Sequence, residues 1–165
     1  MGRNRILRLG FLLVVLGFLA AVSAEAAGPF QFYSVTPCRF ERTTAALPGM
    51  PASNGPPALT SGVVRNIQVN GLCGVPADAA AATVNVTFVT PTADGFIKIY
   101  PFCTGAGCPA PPTVSTLNAL AGEPAIANGA IVPLTAGTLN VTVVYGSQNP
   151  AATANLIIDV TGYFK

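Results

Sequence analysis

The run TVNVTFV, residues 83–89, alternates side chains and constrains the fold more than any other stretch of the chain. Successive side chains of a strand point to opposite faces. Val84, Val86 and Phe88 therefore share one face, and Thr83, Asn85, Thr87 and Val89 share the other. TLNVTVVY, residues 138–145, repeats the pattern, with Leu139, Val141, Val143 and Tyr145 opposite Asn140, Thr142 and Val144. One face packs inward and the other carries Thr and Asn, as in a half-buried antiparallel strand. Further short runs of Val, Ile, Thr, Phe and Tyr lie at 30–36, 62–70, 95–101, 113–120, 125–134 and 153–164, punctuated by Gly, Pro, Asn and Asp. About eight strands without a substantial helix imply an all-β protein, a two-sheet antiparallel β-sandwich of jelly-roll-like form.

Turn chemistry divides these runs. Ala93-Asp94-Gly95 predicts a hairpin joining 82–90 to 95–101. Asn128-Gly129 and Thr135-Ala136-Gly137 predict two more reversals, and Pro76 with Asp78 predicts one short helical turn over 75–81. Residues 43–62, rich in Pro, Gly, Ser and Ala, read as a long surface loop. The last run, LIIDVTGYF, is apolar where chain ends commonly fray. A strand laid between two earlier ones would not fray. Leu156, Ile158 and Val160 would then face one side and Ile157, Asp159 and Thr161 the other.

The chain opens on a different pattern. Arg3, Arg5 and Arg8 precede the apolar run LGFLLVVLGFLAAV, and Ala24 and Ala26 follow in an A-x-A arrangement. Basic, apolar and small-residue regions in that order predict a signal peptide over 1–26, leaving a single domain over 27–165. The apolar run is short for a membrane span. The whole chain has 8 Lys and Arg against 6 Asp and Glu; removing Arg3, Arg5, Arg8 and Glu25 leaves five of each. A neutral mature chain offers no basic patch for nucleic acid and no polybasic stretch for a membrane surface. Cys38, Cys73, Cys103 and Cys108 then follow an export signal, which implies disulfides. Four cysteines allow three connectivities. The short Gly-containing loop CTGAGC favours Cys103 with Cys108, leaving Cys38 with Cys73.

Catalytic constellations are missing. There is no histidine, so no Ser-His or Cys-His pair and no histidine metal site. The carboxylates are scattered singly, unlike a glycosidase pair. Calcium at Asp159 with Asp94 lacks the clustered acidic loop such sites use. No cofactor or metal is expected. Asp159 needs a partner if it lies on a buried part of its strand, and Arg39 or Arg42 beside Cys38 would supply a structural ion pair locking the first strand to the last. The N-V-T triplets at Asn85 and Asn140 match glycosylation acceptors. They also hint at an internal repeat.

FYSVTPCRF, GLCGVPADAAAATVNVTFVTPTADGFIKIYP, ANGAIVPL and IIDVTGYF occur in that order over nearly the whole of 27–165. The set resembles a module of exported actinobacterial and acidobacterial proteins, with a P-C-R, V-P-A, N-V-T, A-N and D-V-T-G-Y-F signature. The resemblance implies a non-catalytic extracellular β-sandwich and supplies no ligand. Where that module has Asp-Thr-Arg, this chain has Glu41-Arg42-Thr43.

These readings together point to a secreted or cell-surface structural protein that self-associates rather than an enzyme. Its partners would be copies of itself or a cell-surface polysaccharide. Phe30, Phe32 and Tyr33 on the first strand are the candidate assembly segment, since a free strand can add to a sheet edge. The alternative is a carbohydrate- or cell-wall-binding module. The absence of Trp argues against an aromatic sugar platform.

Overall fold

The computed structural model describes residues 29–165, so the signal peptide expected over 1–26 lies outside the described residues. Nine strands run in chain order: β1 (Phe32–Arg42), β2 (Leu59–Thr60), β3 (Val64–Ile67), β4 (Ala81–Val89), β5 (Gly95–Pro101), β6 (Leu117–Ala119), β7 (Ile126–Pro133), β8 (Val141–Ser147) and β9 (Thr153–Phe164). They form two antiparallel sheets. The first has the order β1-β9-β4-β7, with the short β2 added beside β9, and the second has the order β3-β8-β5-β6. Consecutive strands mostly alternate between sheets, which is the jelly-roll arrangement of two interlocked Greek keys.

This topology overturns the local hairpin expected at Ala93-Asp94-Gly95. β4 pairs with β7 and β9, whereas β5 pairs with β6 and β8. The turn carries the chain across the sandwich instead of folding it back within one sheet. Asn128-Gly129 is not a reversal either, since both residues lie inside β7. Residues 75–81 form a turn, with the Ala79 amide on the Pro76 carbonyl at 3.2 Å, and no helix follows. The loop over 43–62 contains β2. Past it, Ser61 and Gly62 hand the chain from the first sheet to the second. Ser61 donates to the Ala152 carbonyl beside β9, and Gly62 donates to the Tyr145 carbonyl on β8. Gly62 sits at φ +76°, a left-handed conformation that glycine adopts at little cost.

Between the sheets lies one apolar core. β4 contributes Ala82, Val84, Val86 and Phe88, and β9 contributes Ala154, Leu156, Ile158 and Val160. Ile97, Ile99, Val141, Val143 and Tyr145 close it from the second sheet. Phe88 meets Tyr145 edge-on at 5.4 Å between ring centroids, and the Tyr145 hydroxyl donates to the Ala93 carbonyl at 2.9 Å. A buried phenol thereby keeps a partner for its polar end. β9 is hydrogen-bonded along both edges, to β4 on one side and β1 on the other.

Two glycines on strands sit beneath aromatic rings. Gly146 on β8 is paired with Phe96 on β5, and a Cβ there would enter the Phe96 ring. A Cβ on Gly162 of β9 would enter the Phe32 ring and approach the Tyr33 carbonyl oxygen to 2.8 Å. Each ring covers backbone that its neighbour lacks a side chain to cover. Replacing Gly162 with Val should therefore destabilise the fold by about 1–3 kcal/mol through overpacking. Thermal unfolding of Gly162→Val alone and with Phe32→Ala checks this: removing the ring should restore part of the loss.

Candidate functional site

The most densely cross-braced region is the junction of β1 with the end of β3 and the loop between them. Arg39 lies directly opposite Asp159 in the β1–β9 register. Its Nε donates to Asp159 Oδ1 at 2.8 Å and its Nη2 to Oδ2 at 3.0 Å. The bidentate geometry is the strong form of this pair. It does not sit in the core, however. The side chains are 42% and 22% exposed, on the outer face of the first sheet. Arg42 plays no part in it and instead donates to the Ala45 and Ala46 carbonyls at the start of the loop.

Cys38 of β1 is bonded to Cys73 with their Cα atoms 5.6 Å apart, and Cys103 is bonded to Cys108 across its short loop, also at 5.6 Å. Cys73 reaches its partner from a tight left-handed turn. Its own φ is 53°, and Gly71 and Gly74 on either side are at 80° and 79°. The two bridges fit an oxidising compartment. The first closes a separation of 35 residues, worth about 4 kcal/mol in the chain-entropy account. The exposed Arg39–Asp159 pair is worth about 1 kcal/mol or less.

The placement of Glu41 was not foreseen. Between Arg39 and Glu41 the β1–β9 register slips by one residue, so that Arg39 faces Asp159 while Glu41 faces Ile158. This β-bulge breaks the in-out alternation. Phe40 and Glu41 are both fully buried. Arg65 from β3 approaches Glu41 Oε1 to 3.6 Å, and neither carboxylate oxygen accepts a hydrogen bond. Arg65 is drawn off to the Gly55 and Pro57 carbonyls of the loop, at 2.8 and 2.5 Å. Burial pushes the Glu41 carboxyl up to about 7, with Arg65 opposing the rise.

Asparagines finish the bracing. Asn54, from the loop, donates to the Phe40 and Gln68 carbonyls and accepts the Gln68 amide. Asn140, expected on an outer face, is fully buried. It accepts the Val69 and Asn70 amides and donates to the Thr135 and Gly137 carbonyls. Its amide is fully engaged inside the fold, so it presents no glycosylation acceptor at the surface. Sequence alone carries a weak signal for such hubs, an Asn in an otherwise apolar strand bordered by turns.

The other expected site residues are dispersed. Asp94 accepts the Ala121 amide at 2.7 Å and Asp159 holds Arg39, so each aspartate has its own partner. Phe32 and Tyr33 are paired within the chain's own sheet, against Phe164 and Tyr163, and Phe30 precedes the strand. The Tyr33 and Tyr163 rings stack with centroids 5.2 Å apart. This segment is therefore not a free donor strand. On the outer face of the second sheet, the disulfide loop forms an open groove of about 540 Å³ lined by Asn66, Tyr100, Thr142, Pro109 and Pro112 and by no charged side chain.

No protein-family model and no curated protein sequence matches the chain. Among solved structures it is similar to the coat protein of Tobacco streak virus in its C2 crystal form. The identity is 12% over 84% of this chain and 90% of that chain, with a TM-score of 0.34. The coat protein dimer of the same virus gives 12% identity, the same coverage and a TM-score of 0.35. The jelly-roll topology stands on the strand order given above.

Two outcomes follow from this bracing. Asp159→Asn should lower the unfolding free energy by about 1 kcal/mol or less, whereas replacing Cys38 and Cys73 by Ser should lower it by about 4 kcal/mol, both read by denaturant titration. The second concerns pH. The folded-state carboxyl of Glu41 titrates above its unfolded value, raised from 4.5 to about 7. Its contribution is thus fully present below pH 4.5 and is lost as pH rises through 7. The span corresponds to about 3 kcal/mol. Glu41→Gln should flatten the dependence of Tm on pH between 5 and 8 and raise Tm at pH 8.

Proposed function

We propose that this chain is an exported, non-catalytic structural module that associates with copies of itself at the cell surface. The observation that carries this reading is how its charges are used. Among the described residues, Arg39 and Asp159, Arg65 and Glu41, and Lys165 and Asp78 are paired. Arg42 and Lys98 bind backbone carbonyls, and Asp94 accepts a backbone amide. Charged groups serve as braces and do not converge on a cleft, which is the opposite of an active site's arrangement. The exterior carries few charges, chiefly the exposed Lys165–Asp78 pair and Arg39 with Asp159, and is partly apolar, with Val63, Val64, Val114, Leu120 and Ile131 each more than half exposed. Disulfides and a Thr-rich, neutral exterior suit an extracellular setting, as does the resemblance to exported surface modules.

The second reading, a module that binds a neutral polysaccharide, has one observation in its favour. The groove beside Tyr100 offers an aromatic ring, proline rings and the amide of Asn66 without any charge. Such a lining matches the apolar faces and hydroxyls of uncharged sugars.

Light scattering on the protein purified with both disulfides intact distinguishes the two. Mass rising with concentration, at neutral pH and moderate salt, is the expected result. A monomer at every concentration that is retained on an insoluble neutral glycan would replace the structural reading with the binding one.

A further inference from the structure

The described sandwich has four edges, and three are guarded. β1 carries Arg39, Glu41 and Arg42 and is bridged through Cys38 to the Cys73 turn. β3 is four residues long and contains Arg65, and β6 is only three residues long. Charges, short strands and covering loops are the usual means of keeping an edge from pairing. β7 is long and uncharged, and the neighbouring segment hydrogen-bonds to it only through the Asn128 side chain, whose amide donates to the Thr116 carbonyl at 2.8 Å. Its eight residues, IANGAIVP, include no charge, and only the closing Pro133 interrupts an otherwise regular edge.

The phase of its hydrogen bonds shows what that edge presents. The Leu134 amide donates to the Ala80 carbonyl at 2.8 Å, and the β4–β7 register runs unbroken from Ala81↔Pro133 to Phe88↔Ile126. Antiparallel ladders alternate between hydrogen-bonded and non-hydrogen-bonded pairs. Val132, Ala130 and Asn128 therefore bond to β4, while the N–H and C=O groups of Ala127, Gly129 and Ile131 point away from it. These three make no backbone hydrogen bond outside the strand ladders. Exposure agrees. Residues 126–129 are exposed on both faces of the sheet, and Ile131 is 64% exposed.

We propose that β7 is the docking strand for β7 of a second copy, paired antiparallel across a two-fold axis at Gly129. The proposal rests on the self-association reading and specifies its interface. The edge is self-complementary in that register. The Ala127 amide and carbonyl meet the second copy's Ile131, Ile131 meets the second copy's Ala127, and the two Gly129 residues meet each other. A two-fold axis brings one residue against itself, and Gly129 brings no side chain there; a Cβ on it would have open space in the single chain. Ile131 comes beside the small Ala127 on the outer face, so a large side chain is covered by a position with room for it. Neither β7 nor β4 beside it carries a charge, so like charges on these strands do not oppose the approach. The first sheet then runs continuously through both copies, a closed isologous contact.

The test uses the protein with both native disulfides formed. Ile131→Lys places a charge on an exposed position that the single chain does not bury. It should leave the monomer's thermal unfolding within a degree or two and weaken the dimer at least tenfold by light scattering. Gly129→Cys should form a disulfide-linked dimer under mild oxidation, because a hydrogen-bonded pair holds Cα atoms about 5.5 Å apart. Ala151→Cys, exposed in the turn before β9, should not. Native protein that self-associates, is indifferent to Ile131→Lys and gives no Gly129 cross-link would overturn the β7 contact and leave self-association standing. Native protein that is monomeric at every concentration would overturn both.

Discussion

The double pairing of β9 is the constraint on which the rest of this structure depends. It is the last strand, yet it is interior to its sheet, with β4 along one edge and β1 along the other. Its Leu156, Ile158 and Val160 supply the centre of the core, and its Asp159 anchors Arg39 on the outer face. Every other device in the junction reinforces that placement. The Cys38–Cys73 bridge holds β1 against it, Thr43 accepts the Leu156 amide and donates its own amide to the Leu156 carbonyl, and β2 pairs with its first residues. Because an interior strand exposes no unpaired backbone, an apolar sequence is safe there.

The bulge in β1 shows how one irregular residue redistributes roles. With Phe40 inserted, β1 sends two consecutive side chains inward instead of one. Phe40 fills the core, but Glu41 goes with it and loses water without gaining hydrogen bonds. Arg65 stands near enough to soften that cost and is itself committed to the loop carbonyls. The burial of an underpaired carboxylate is costly at neutral pH, and here it sits where three segments meet.

Much of this was legible in the sequence, for a physical reason. Period-two alternation in 83–89 and 153–164 is a local property, and burial follows it residue by residue. What was not legible is what depends on pairing between distant segments. Ala93-Asp94-Gly95 makes the same turn whether the following strand returns to its own sheet or crosses to the other, so turn chemistry alone could not place β5. Asn128-Gly129 reads as a reversal, yet the demand of β4 for a neighbour keeps it extended. The bulge at Phe40 leaves no trace in composition, so nothing in the sequence marks Glu41 as a buried charge. Asn140 looked like a polar outer residue because the two amides its side chain accepts, those of Val69 and Asn70, come from a segment far away along the chain.

The interior position of β9 also bears on how the chain acquires its shape. β1 has no partner in the first sheet until residues 157–164 exist to receive it, and β4 lacks one of its two neighbours until then. Among strands adjacent in sequence, only β5 and β6 pair within the second sheet, so nearly every ladder joins segments far apart along the chain. Such topologies close slowly. A polypeptide emerging from a ribosome or a channel with its amino end first therefore cannot complete its first sheet until β9 is free. The strand that joins β1 to β4 is thus the last of the nine to arrive.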